Sequence, residues 1–121
     1  SILKTYEGLI EPSRIKVIEI PQTNRGFWAR DGLPVPVWSK TGTMDLVDAR
    51  YYHSFEPDAY FKQWFSSYLY KHDYYFEGGN FMVNDRGDCL VVNTQETAMI
   101  PEEIFTDMYG CQRTIRMPFE K

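Results

Sequence analysis

Apolar and polar positions alternate in short runs separated by turn residues, and the runs recur in the same order twice. Pro34-Val35-Pro36-Val37-Trp38 reads as a strand, placed at a sheet edge because neither proline can donate a ladder hydrogen bond. Thr41-Gly42 supplies a turn, and Met44 to Ala49 a second strand with Met44, Leu46 and Asp48 on one face. Glu56-Pro57-Asp58 opens a helix on a proline. The spacing of Tyr60, Phe61, Trp64, Phe65, Tyr68 and Leu69 predicts one apolar helical face over Asp58 to Tyr70, and Asp73 to Phe76 closes the unit as a strand. The second copy runs through Asn80 to Asn84, a turn at Asp85-Arg86-Gly87 and a return strand Asp88 to Asn93. A helix over Pro101 to Tyr109 follows, with Glu102 and Glu103 in its first turn and Gly110 as its stop, and Gln112 to Met117 ends it.

The pattern is α/β: strand, strand, helix, strand, twice over. Residues 34–76 form one repeat and 80–117 the next, while 1–20, a helical stretch ending near Ile10 and then a strand from Arg14 to Ile20, read as the tail of another. A repeat cut through its middle, in a chain starting at Ser1, predicts a piece of a longer polypeptide. Val35, Val37, Trp38, Leu46, Val47, Phe81, Val83, Leu90 and Val91 lie on strand faces expected to need cover from neighbouring segments.

Composition narrows the classes. Of 121 residues 43% are hydrophobic and 17% aromatic, enough for a packed core and against disorder. Apolar runs stay far short of the roughly 20 residues that cross a bilayer, so no membrane partner is expected. Thirteen basic against 17 acidic residues, spread along the chain, give a net charge of −4 and no footprint for a nucleic acid. Cys89 and Cys111 form no Cys-x-x-Cys pair, so the disulfide and metal readings are weak, and each is expected as a small buried hydrophobe rather than a nucleophile. His53 and His72 lack the neighbours of a zinc site, and neither metal nor cofactor is expected. The lack of a leader pattern in Ser1 to Ile10 and of a disulfide framework favours the cytoplasm while leaving the compartment open.

Two spots carry residue types awkward for plain structure. In Gly26-Phe27-Trp28-Ala29-Arg30-Asp31-Gly32-Leu33-Pro34 an Arg-Asp pair follows two bulky aromatics; in Phe76-Glu77-Gly78-Gly79-Asn80 a carboxylate ends one strand before a double glycine. Taken singly, Phe27 and Trp28 are as well explained by a core, Asp31 by a turn cap and Gly78-Gly79 by a tight connection.

Together and in order, Trp28-Ala29-Arg30-Asp31-x-x-Pro34, Val47-Asp48, Glu77-Gly78-Gly79-Asn80-Phe81 and Asp85-x-Gly87 resemble the agmatine deiminases and bacterial peptidylarginine deiminases of the guanidine-modifying (pentein) superfamily. The likeness spans nearly the whole chain. It implies a partial pentein-type α/β propeller, about two strand-strand-helix-strand repeats and the tail of a third, around a central site. It also implies that Asp31 and Glu77 are the catalytic carboxylates gripping a substrate guanidinium. Trp28 would be an apolar or cation-stacking wall, and Gly78 and Asn80 would complete the substrate-binding set. A guanidinium is planar and permanently charged with parallel N–H donors, which suits bidentate carboxylates.

The implied reaction has a cysteine thiolate attack the guanidinium carbon while a histidine paired with an acid moves protons; ammonia leaves and water releases a ureido product. No His-x-Asp follows Met117-Pro118 and neither cysteine matches the nucleophile, so both are expected from the remaining segments of the same enzyme. The implied partner is a guanidinium small molecule or a peptidyl arginine. Gly32-Leu33 departs from the family's small residue and glycine, and the loop from Tyr51 to Pro57 offers only His53, beside Arg50, to a substrate carboxylate. Two other readings stand beside this one: a noncatalytic interaction domain on the same scaffold, and an unrelated small acidic binding protein.

Overall fold

A computed structural model describes residues 2–17, 19–20, 26–51 and 57–119, with backbone alone at 2–3 and 26–28. Val35–Trp38 (β1) folds back antiparallel on Met44–Arg50 (β2), Val35 opposite Val47 and Trp38 opposite Met44. Leu69–Tyr75 (β3) then lies parallel to β2. A parallel neighbour requires a crossover, and it carries the helix Asp58–Phe65 (α2). Phe81–Val83 (β4), Asp88–Asn93 (β5) and Arg113–Pro118 (β6) repeat the pairing, antiparallel then parallel, with Gln95–Ala98 (α3) and Glu102–Asp107 (α4) in the second crossover. The result is two mixed three-stranded sheets, ordered β1-β2-β3 and β4-β5-β6. A short helix, Ile2–Thr5 (α1), precedes them.

Several boundaries depart from the periodicity. The helix expected over Asp58 to Tyr70 stops at Phe65, where Ser66 turns left-handed at φ 52°. Tyr68 is drawn into the sheet instead: its amide donates to Asp45 Oδ1 and its carbonyl accepts from Leu46 N–H at 2.9 Å. The tyrosine-rich run that follows favours a strand, so β3 starts at Leu69 rather than Asp73. The supposed buried face of α2 is largely open, with Trp64 39%, Phe65 46% and Tyr68 62% exposed. The expected helix over Pro101 to Tyr109 shortens to α4, and α3 was not anticipated; Thr94 caps it, accepting from Thr97 N–H at 3.2 Å. The described residues of the strand expected over Arg14 to Ile20 form none. Arg14 sits in a 3-10 turn, Pro12–Arg14, and Ile15 to Val17 join no sheet; Ile18 lies outside the described residues. The helix expected to end near Ile10 is only α1 followed by turns. Of the strand residues expected to need cover, Leu46, Val47, Phe81 and Val91 are already buried within this chain, whereas Trp38 and Val83 are exposed.

One core joins both sheets. Val47 from β2 and Val91 from β5 meet Phe76, Phe81, Phe105 and Tyr109, whose rings pack at centroid distances such as 5.7 Å for Phe76 and Phe81 and 5.3 Å for Phe81 and Tyr109. Each fully buried ring removes apolar surface worth about 1.5–3 kcal/mol. Phe76 and Phe81 bracket residues 77–80, so the turn carrying Glu77 is anchored in the core at both ends.

The cysteines correct the sequence reading: Cys89 and Cys111 are a disulfide, Cα atoms 5.7 Å apart, tying β5 to the residue after Gly110. The Cys111 amide donates to Phe105 O at 3.0 Å, which turns the chain after α4 back onto the core face of β5 where Cys89 lies. A bridge over 22 positions leaves no local spacing signal.

Candidate functional site

Two short 3-10 turns face each other. Gly26–Gly32 leads into β1, and Gly78–Asn80 joins Phe76 to β4. Asp31 Oδ1 accepts from Gly79 N–H at 3.0 Å. Glu77 heads the second turn; its backbone carbonyl accepts from Asn80 N–H at 2.9 Å and its Oε2 from Asn80 Nδ2 at 2.6 Å. Arg30 reaches across the gap, donating from Nε to Gly78 O at 3.2 Å and from Nη2 to Phe81 O at 3.0 Å. Asp31, 46 positions before Glu77, is thus brought to the turn that holds Glu77, Gly78 and Asn80. Of Trp28 only the backbone is described, inside the first turn.

The double glycine has a concrete reason. A Cβ on Gly78 would run into the carbonyl oxygen of Arg30, and one on Gly79 into Asp31 Oδ1. The close approach is therefore to the opposing turn. Gly78→Ala is expected to cost about 1–3 kcal/mol, as overpacking does, and to lower the melting temperature; an unchanged melting curve would mean that the turns are not held this closely.

Tyr51, directly after β2, was not singled out in the sequence. It is buried, and that burial raises its phenol pKa, with the negative charges of Asp31 and then Glu77 adding to the rise. It therefore lies within electrostatic reach of both carboxylates. The available signal was its place at the carboxyl end of a strand. Asp48, also part of the quoted pattern, is buried and paired with Lys71 Nζ at 2.7 Å. Beside it His72 Nε2 is 2.7 Å from Tyr109 Oη, and the Tyr74 amide donates to Nδ1 at 3.3 Å. Nδ1 accepts, so the neutral ring carries its proton on Nε2 and gives it to Tyr109.

Burial lowers the His72 pKa below 6.5, with Asp48 and Asp73 opposing the shift, and burial raises that of Tyr109. Because the folded pKa of His72 lies below its unfolded value, the stability of the neutral ring is fully present above about pH 6.5 and is lost as pH falls through the folded pKa. Denaturant midpoints measured from pH 8 to pH 5 should decline below 6.5, and His72→Gln should flatten that decline. An equal decline in the variant would assign it to other groups.

Among the described residues no three His, Cys, Asp or Glu side chains are grouped to hold a metal, and no helix is long and apolar enough to cross a membrane. A cavity of about 430 Å³ lies between β1 and β4, lined by Leu33, Pro34, Val35, Pro36, Phe81, Met82 and Val83 with Arg30 and Gly78 at one end. Asp31 and Glu77 do not line it, and its walls are mainly apolar.

No protein-family model matches the sequence, and no curated protein is detectably similar to it. Solved structures do match. An agmatine deiminase of Enterococcus faecalis aligns over 75% of this chain and 32% of its own at TM-score 0.62 and 16% identity. A C. jejuni agmatine deiminase, solved as a cysteine-to-serine variant with substrate bound, aligns over 75% and 33% at 0.57 and 20%. A Porphyromonas gingivalis protein solved under the designation arginine deiminase aligns over 98% and 42% at 0.68 and 16%. The chain spans about a third to two-fifths of the length of these structures and has their fold over the aligned part.

Proposed function

We propose, on the strength of this deiminase fold, that the chain is part of a guanidine hydrolase and contributes the carboxylates that hold the substrate cation. The observation that carries the reading is the hydrogen bond from Gly79 N–H to Asp31 Oδ1, which fastens Asp31 to the turn that begins at Glu77. Two carboxylates set together suit a single planar cation: each accepts a pair of parallel N–H bonds, and the shared positive charge limits their mutual repulsion. Holding the guanidinium nitrogens this way fixes its plane and leaves the face of its central carbon open to a nucleophile.

The thiolate and the proton-transferring histidine belong to the remaining segments of the same enzyme, and the two three-stranded sheets are two blades of its propeller. The net reaction takes one water per guanidinium and yields a ureido group and ammonium. The substrate is a guanidinium small molecule such as agmatine, or a peptidyl arginine. Incubating the intact protein with agmatine and with arginyl peptides, and assaying ureido product and ammonia, tests the reading. Equimolar formation of the two is expected; no product from any guanidine compound contradicts it.

A further inference from the structure

We propose that Arg30 is a positioning residue for this site: its guanidinium bridges the two turns and sets the placement of the Asp31 carboxylate relative to Glu77. The proposal rests on the guanidine-hydrolase reading for its catalytic consequence, but its geometry stands apart from it. In a 3-10 turn successive side chains diverge by about 120°, so neighbours Arg30 and Asp31 leave the backbone in different directions. Both nevertheless end on the same four-residue stretch. Arg30 takes the carbonyls of Gly78 and Phe81, and Asp31 takes the amide of Gly79 between them.

Three bonds from two adjacent side chains over-determine how the turns sit. The absent Cβ of Gly78 lets the Arg30 carbonyl press against the second turn from its backbone side as well. Asn80 then carries the placement to Glu77 through its bond to Oε2. The chain of contacts runs from Arg30 to the 78–81 backbone, through Asn80, to the Glu77 carboxylate.

Arginine suits this task because Nε and Nη2 are separate donors in one rigid plane and reach two carbonyls at once; a lysine ammonium has the charge without the fork. A cation beside a site for a cation repels the substrate, so charge alone does not account for Arg30. Geometry does, since a misplacement of about 1 Å at a reacting centre costs on the order of 10²-fold in rate.

Arg30→Lys and Arg30→Gln in the intact protein test this, the first keeping charge and stem in case the second folds poorly. Hydrogen exchange of the amides at 78–81 is expected to speed up at least about tenfold in both variants while β5 amides at 88–93 stay protected, since an opened local contact exposes only its own amides. With agmatine, kcat/KM is expected to fall at least about tenfold in Arg30→Lys at a melting temperature near that of the parent. Unchanged exchange at 78–81, equal acceleration in β5, or an Arg30→Lys variant with parental exchange and kinetics would each overturn the proposal. Should the parent turn over no guanidine compound, the functional reading fails while the exchange pattern still decides the role of Arg30.

Discussion

Asp31→Asn in the intact enzyme is expected to reduce kcat/KM for a guanidine substrate by roughly 10² or more while leaving the fold in place. The amide keeps an oxygen that can accept from Gly79 N–H, so the facing turns remain joined. What disappears is the negative charge, and removing one partner from a desolvated charge pair costs about 2–5 kcal/mol. At 1.36 kcal/mol per tenfold, the lower half of that range already accounts for the loss. Melting temperature and kcat/KM measured side by side separate the effects. A variant that melts like the parent and turns over at a similar rate would show that Asp31 does not hold the cation.

Breaking the disulfide should be the largest stability effect that leaves the site alone. Cys89 and Cys111 are buried and 22 positions apart. In the loop-entropy account a closure of that size restrains the unfolded chain by roughly 3 kcal/mol. Cys89→Ser, or reductant on the parent, should lower the melting temperature by on the order of 10 °C for a chain of this length. The serine adds the cost of a hydroxyl at a fully buried position. The bridge touches β5 and the end of the second crossover, whereas the contacts joining the two turns involve residues 30, 31 and 77–81. The folded fraction should therefore keep its kcat/KM. A Cys89→Ser variant that melts like the parent would mean that the thiols are unpaired, and a loss of turnover without a loss of stability would place Cys89 in the chemistry.

The legibility of the chain follows the range of the forces involved. β1, β2, β4, β5 and β6 emerged within a residue or two because alternation and turn residues are local signals, as at Thr41-Gly42 and Asp85-Arg86-Gly87. The end of α2 was illegible for the opposite reason. Tyr68 and Leu69 continue the helical phase, and only the offer of the β2 edge, through Asp45 and Leu46, draws them into a strand. The stretch Arg14 to Ile20 failed in the same way, since a β-like composition needs a partner edge that no local pattern reveals. At the site, awkward residue types marked Asp31, Glu77 and the double glycine as candidates, and the resemblance alone suggested roles for them. That Gly78 and Gly79 accommodate Arg30 and Asp31, and that the charges of Asp31 and Glu77 act on Tyr51, depends on positions distant in the sequence. The disulfide belongs with these.

The most direct measurement is a crystal structure of the intact protein with agmatine or an arginyl peptide bound in a variant lacking the nucleophile. The account predicts the guanidinium nitrogens within about 3 Å of carboxylate oxygens from both Asp31 and Glu77, with the plane of the cation set by that pair. A guanidinium bound away from them, or an Asp31 carboxylate turned from the ligand while Glu77 binds alone, would contradict it.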